Sequence, residues 1–390
     1  MKILTIDVGT GTQDIYLYDS RLDPENGFKL VLPSPTMMVW RRVRQATRGG
    51  TPIVLTGRQM GGGPSAWAVE AHARAGLRVF ATPDAALTLD DDLEKVAAAG
   101  VQVISEEEAF GLPAEVERLV LRDFDFAAIT ETFARFGMDL TDLDAVAVGV
   151  FDHGAAPPGS SDRQFRFDYL DERIRARNSL CAFAFRSDSI PPIMSRLQAV
   201  ALSAQDVDAP LVLMDTAPAA VLGATFDPVV AARPRVMIAN VGNFHTLAFR
   251  LGQQGIEGVF EHHTGEIDLP RLETLLRSLA DGSLKHADVF EDMGHGALVY
   301  SSEPLALDRD DFDVVVTGPR RSIFPNSAAA HAGLSGSLKP YFAVPFGDMM
   351  IAGCFGLLAA TADVLPDLAG PIRTSLGARG GRARAPWDIE

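Results

Sequence analysis

One short pattern occurs twice, about half a chain apart. At residues 2–18, Ile3, Leu4, Ile6 and Val8 form an apolar run, Gly9-Thr10-Gly11-Thr12 makes a tight turn, and Ile15, Tyr16 and Leu17 resume the run. At 236–249, Val236, Met237, Ile238 and Val241 lead into Gly242-Asn243, and Leu247, Ala248 and Phe249 follow. Each reads as strand, glycine turn, strand, a hairpin rather than a strand entering a helix. Glycine permits backbone dihedrals that a Cβ forbids, so successive N–H groups can converge into a concavity that holds an anion. Asp7 leaves the first strand beside that concavity, where a carboxylate can hold a hydrated divalent cation next to phosphate. Asn240 takes the same place in the second hairpin and, being neutral, is the poorer ligand. A half-chain repeat points to two related domains facing each other.

The 390 residues suffice for two cores, and the 47% hydrophobic and 22% charged shares describe a globular chain. With 51 acidic against 35 basic residues the net charge is −16, a field that repels nucleic acid and anionic membrane surfaces. A small anionic ligand stays compatible with it, because a local nest of N–H groups overrides a distant field. Two cysteines, Cys181 and Cys354, provide neither a disulfide framework nor the closely spaced set that an iron–sulfur cluster needs. The chain opens directly on a strand, and no apolar run reaches the ~20 residues of a membrane span, so a cytoplasmic location without a membrane partner is expected.

Between the hairpins, 30–40 reads as a strand segment interrupted by Pro33 and Pro35. Strands near 52–56, 77–81 and 101–104 alternate with helices near 65–75 and 90–99, a small α/β unit inserted at about 50–125 of a first domain spanning 1–228. Gly61-Gly62-Gly63 precede the first of these helices, which makes them either another anion nest or a plain strand-to-helix turn. Residues 144–151 and 211–214 read as buried strands that deliver Asp152-His153 and Asp215-Thr216 at their ends. Asp215 is either a general base that takes a hydroxyl proton or the cap of the helix after it. A second domain, 229–377, contains a buried strand at 312–317 ending in Gly318-Pro319-Arg320-Arg321, and a late helix containing Gly353 and Gly356. Residues 378–390 carry little apolar pattern and read as a tail.

Asp7-Val8-Gly9-Thr10-Gly11-Thr12, Asn240 to Thr246 and Thr317-Gly318-Pro319 together resemble the phosphate hairpins and adenosine turn of the actin-like ATPase superfamily, which includes sugar kinases and heat-shock chaperone ATPases. More closely, the hairpins with 261–266, 317–321 and 347–356 resemble a family labelled pyruvate formate-lyase activating enzyme-like, although the cysteines such activation needs are missing. The superfamily resemblance implies two ribonuclease-H-like domains facing across a cleft, an α/β fold, with ATP and Mg²⁺ between them. It implies Gly9, Thr10, Gly11, Thr12, Gln13, Gly242, Asn243, Thr246, Gly318 and Arg320 at the nucleotide. Asp7 and Asp215 then serve the metal and the chemistry. Arg320 equally suits a solvated turn.

Histidines form a competing set, because six of the eight follow residue 240. Neighbours His262 and His263 on a strand face opposite ways, so one of them at most serves a given site. His245, His263 and His295 are the candidate ligands for zinc or iron, with ordinary surface or core histidines as the plain alternative. Three functions follow. The first is an ATPase or phosphotransferase acting on a small molecule, the second a histidine-dependent metal hydrolase or transferase on the same fold. The third is an ATP-driven activator of a partner protein.

Overall fold

The computed structural model describes residues 1–157, 159–307, 311–325, 337–377 and 387. The expected tail, 378–390, lies outside the described residues apart from Trp387. The chain is mixed α/β, with sixteen described strands in three sheets.

The opening apolar run forms β1 (Lys2–Val8), which turns through the glycines into β2 (Thr12–Asp19) and continues to β3 (Phe28–Pro33). Residues 30–40 are therefore not one interrupted strand. β3 ends at Pro33 and a helix, Pro35–Gly49, begins at once. Pro35 is tolerated there because the first helical residue needs no N–H donor, and Ser34 caps the helix by accepting from Met37 N. Val39, Val43 and Ala46 are its buried stripe, and they join the core of the inserted unit.

That unit is a parallel sheet in the order β6 (Val101–Val103), β5 (Val79–Ala81), β4 (Ile53–Gly57), β7 (Glu117–Leu121). Its helix Pro64–Arg74 follows the three-glycine turn. The chain then returns to the first sheet with β8 (Ala145–Val150), β9 (Ala184–Arg186) and β10 (Leu211–Asp215), giving the order β3-β2-β1-β8-β10-β9. β1 and β2 are antiparallel, whereas β1, β8 and β10 are parallel.

The second sheet repeats this logic. β11 (Val236–Val241) and β12 (His245–Gly252) form the second hairpin, and β13 (Gly255–His263) and β14 (Gly296–Val299) extend it antiparallel. On the other side β15 (Val314–Thr317) and β16 (Pro340–Phe342) add in parallel. In both sheets, then, the glycine hairpin sits beside a parallel strand that delivers its C-terminal end to the same edge. One continuous apolar cluster joins the sheets, running from Leu4, Ile6 and Val148 to Ile238, Leu247 and Phe249.

The helix Ala352–Val364 lies buried against Thr216–Ala224 at a backbone approach that only glycine allows. A Cβ on Gly223 would overlap the Ala352 carbonyl, and one on Gly356 the Ala219 carbonyl. Among the described residues no single helix is long and apolar enough to cross a membrane. One pair, Ala352–Val364 with Pro366–Gly377, passes by length and composition but bends by 114°. Gly223→Ala and Gly356→Ala are each expected to cost roughly 1–3 kcal/mol by overpacking, read as a lower urea midpoint at unchanged slope. A midpoint equal to the parent's would contradict this contact.

Candidate functional site

Both hairpin turns open on one cavity of about 1190 Å³. The turns close identically, Gly9 N–H donating to Thr12 O and Gly242 N–H to His245 O, each at 2.9 Å. They also nearly touch, since a Cβ on Gly11 would come within 2.8 Å of Asn243 Nδ2. Gly9 to Thr12, Asn240, Gly242 and Asn243, Thr317 and Gly318 all line the cavity. The turn Gly61 to Gly63 lines it too, at the start of Pro64–Arg74, although Gly61 N donates to Asp123 and Ser65 N to Thr36 Oγ1. Trp67 of that helix meets Phe244 at the tip of the second hairpin, ring centroids 5.4 Å apart.

The hairpin register supplies a residue that sequence reasoning left out of the site. Asp14 lies directly opposite Asp7, and the two carboxylates line the cavity together. Thr216 donates its hydroxyl to Asp7, while Asp14 Oδ1 is buried without a hydrogen-bond partner. Burial pushes Asp7 up to about 6, over the lowering effect of Thr216 and with Asp215 adding to the rise. Burial, followed by the Asp7 charge, pushes Asp14 up to about 8. The late helix closes over this pair: a Cβ on Gly353 would overlap the Asp7 carboxylate. The signal for Asp14 was available, because a four-residue turn between Val8 and Gln13 sets Asp7 against Asp14.

Several expected ligand residues lie elsewhere. Alternation turns Gln13 away from the cavity, and its Nε2 donates to Pro33 O at 3.0 Å. Thr246 likewise faces the far side of its sheet and shares a 2.9 Å hydrogen bond with Thr264. Arg320 is exposed beyond the turn, and Arg321, whose Nη1 donates to Gly318 O at 3.2 Å, lines the cavity together with Arg196. Asp215 caps Thr216–Ala224 by accepting from Ala217 N at 3.0 Å and is paired with Arg166. Its carboxylate is committed to those partners, so its neighbour Thr216 is what reaches Asp7.

The three candidate histidines converge although they come from separate segments. β12 and β13 pair His245 directly with His263, and His295 arrives just ahead of β14. One ligand nitrogen from each can be chosen so that all lie within 4.8 Å of one another. His262 faces the other way, with Nε2 3.5 Å from Asp292. Beneath the cluster lies Glu261, fully buried, with Oε1 3.0 Å from His245 Nδ1 and 3.5 Å from His295 Nδ1. Burial alone would raise the Glu261 pKa, but His295, Arg166 and His245 outweigh it and hold the carboxyl well below its usual range. Burial pushes His295 down to about 3. His245 lines the cavity and stacks on Phe151 at 4.2 Å.

The duplicated hairpin sheets around a shared cavity define a class of α/β protein, and its family can be named. The chain belongs to the family described as "Putative pyruvate format-lyase activating enzyme (DUF1786)", whose model matches residues 60–323. No curated protein matches it. Among solved structures it is similar to the ethanolamine utilization protein EutJ from Carboxydothermus hydrogenoformans, at 10% identity over 92% of this chain and 89% of that one, TM-score 0.33. It is also similar to the ROK hexokinase from Thermus thermophilus, at 12% identity over 93% and 100%, TM-score 0.31.

The raised carboxyls predict a pH effect of defined sign. Without metal, folded Asp7 and Asp14 hold protons that the unfolded chain releases nearer pH 3.8. Their penalty is absent below that value and grows as pH rises through about 6 and 8. Asp14→Asn should therefore stabilise the chelator-treated protein at about pH 8.5 much more than at about pH 4.5. Urea unfolding at both pH values checks this; an equal difference at the two would contradict the buried pair.

Proposed function

We propose that this chain binds a nucleoside triphosphate with a divalent cation between its two glycine hairpins and catalyses transfer or hydrolysis of the terminal phosphate. The observation that carries the reading is the approach of two identically closed hairpins at a cavity that also holds the Asp7–Asp14 pair. The shared strand order of the two sheets supports the arrangement of two ribonuclease-H-like domains, 1–228 and 229–377, with the α/β unit inserted in the first.

Magnesium suits the residues present. Asp14 Oδ1 is buried without a partner, and both Asp7 and Asp14 border the cavity. Asp7 and Asp14 would hold the ion, a hard cation that prefers carboxylate oxygen and keeps several waters. Bound there, it would neutralise phosphate charge. The Gly9 and Gly242 N–H groups close the two turns, and the backbone N–H groups of Thr10, Gly11 and Asn243 within them cradle the phosphates. Thr216 orients the Asp7 carboxylate, and Asp215 fixes the helix that presents Thr216. Arg321 and the start of Pro64–Arg74 add positive potential. Asp90, Asp91 and Asp92 line the same cavity, which makes charge neutralisation by a cation a condition for holding a polyphosphate.

ATP with Mg²⁺ is expected to raise the melting temperature, by an amount equivalent to about 2.7 kcal/mol at a hundred times Kd. Asp7→Asn and Asp14→Asn should each abolish the Mg²⁺-dependent part. Gly11→Val, which drives a side chain into Asn243, should weaken ATP binding at least tenfold. No shift at millimolar ATP and Mg²⁺ overturns the reading. Binding without turnover would favour an ATP-driven activator over an enzyme.

A further inference from the structure

We infer that His245, His263 and His295 form a binding site for a first-row transition metal, zinc before iron, separate from the Asp7–Asp14 pair. The inference does not rest on nucleotide binding. Three imidazoles from two strands and a loop are gathered with nitrogens within 4.8 Å of one another. Neutral imidazole is a borderline-soft donor that suits zinc, iron or nickel and not magnesium.

The second observation lies in the atoms that lack partners. His295 Nε2 is buried without a hydrogen-bond partner, while His245 Nδ1, His295 Nδ1 and Glu261 Oε1 are set against one another. Leaving buried polar atoms unpaired is costly, so such a set needs something to organise it. Glu261 Oε1 lies between His245 Nδ1 and His295 Nδ1, at 3.0 and 3.5 Å. A carboxylate there fixes Nδ1–H on both rings and leaves their Nε2 lone pairs for a metal, the arrangement in which an outer carboxylate orients metal-binding histidines. Charge points the same way. Glu261 and Asp215 share one buried guanidinium, Arg166, so this triad carries one uncompensated negative charge under the histidines.

Three nitrogens on tetrahedral zinc, each at about 2.0–2.1 Å, stand on the order of 3.3 Å apart. Ring movements of about an ångström therefore complete the set. Three protein ligands leave a position open, the ligand count of a catalytic rather than a structural zinc. His245 lines the large cavity, so the ion would be reached from the wall that carries the second hairpin. His153, whose ring centroid is 6.3 Å from that of His295, stands on the same side.

The test uses full-length protein stripped with a chelator that is then removed, titrated with Co²⁺ and Zn²⁺. One equivalent of Co²⁺ should give the visible absorption of a low-coordinate site, displaced by Zn²⁺ and unaffected by Mg²⁺. His263→Gln and His295→Gln should each weaken binding at least tenfold, with melting curves checking that they fold, while Asp7→Asn retains it. Glu261→Gln should weaken it 10–100-fold. X-ray absorption of the zinc-loaded parent, which needs no variant, should show about three imidazole ligands. Absence of saturable Co²⁺ uptake, uptake that survives loss of both histidines, loss of uptake in Asp7→Asn, or a zinc shell of oxygen alone would each overturn the inference.

Discussion

Two carboxylates face each other across the first hairpin, at a depth where burial pushes both towards the neutral form. Nothing in the hairpin itself requires that. The register set by a four-residue glycine turn opposes Asp7 and Asp14, and the glycine-notched helix Ala352–Val364 packs against Asp7 on one side while the cavity opens on the other. Like charges directly opposite on a sheet are destabilising, and burying them adds to the cost. Thr216 steadies Asp7 by donating its hydroxyl to the carboxylate.

From that pair a line of polar contacts crosses to the second sheet. Thr216 reaches Asp7, its neighbour Asp215 is held by Arg166, and Arg166 also holds Glu261 under the histidines. The two sheets share one apolar core at their base, so these contacts are built into a packed frame. The second hairpin departs from the first where it matters. Asn240 and Leu247 occupy the places of Asp7 and Asp14, leaving it without charge of its own at that level. What it has instead is His245 at the end of its turn. The first sheet thus carries a carboxylate pair at its hairpin and the second an imidazole cluster.

The sequence was most legible where local chemistry decides. Both hairpins, the buried strands ending at Val150 and Asp215, and the grouping of His245, His263 and His295 follow from alternation, glycine turns and residue type. Strand pairing was the main thing hidden. Gln13 and Thr246 sit on the hairpin strands but face away from the cavity, because a period of two reverses every second side chain. Arg166 and Glu261 are separated by 95 residues and meet only through tertiary packing, so no local motif could announce them. Pro33 and Pro35 concealed a helix, since proline at a first helical position looks in sequence like an interruption. Asp215 had a cap and a base as alternatives, and in the fold it accepts from Ala217 N and pairs with Arg166, a residue 49 positions away that no local pattern announces.

A crystal soaked with ATP and Mn²⁺ shows whether the hairpins and the acidic pair form one ligand site. An anomalous manganese peak is expected within coordination distance, about 2–2.3 Å, of the Asp7 or Asp14 carboxylate, with phosphates against the N–H groups of Thr10, Gly11 and Asn243. A nucleotide bound away from both hairpins, or manganese found only at the histidines, would contradict it.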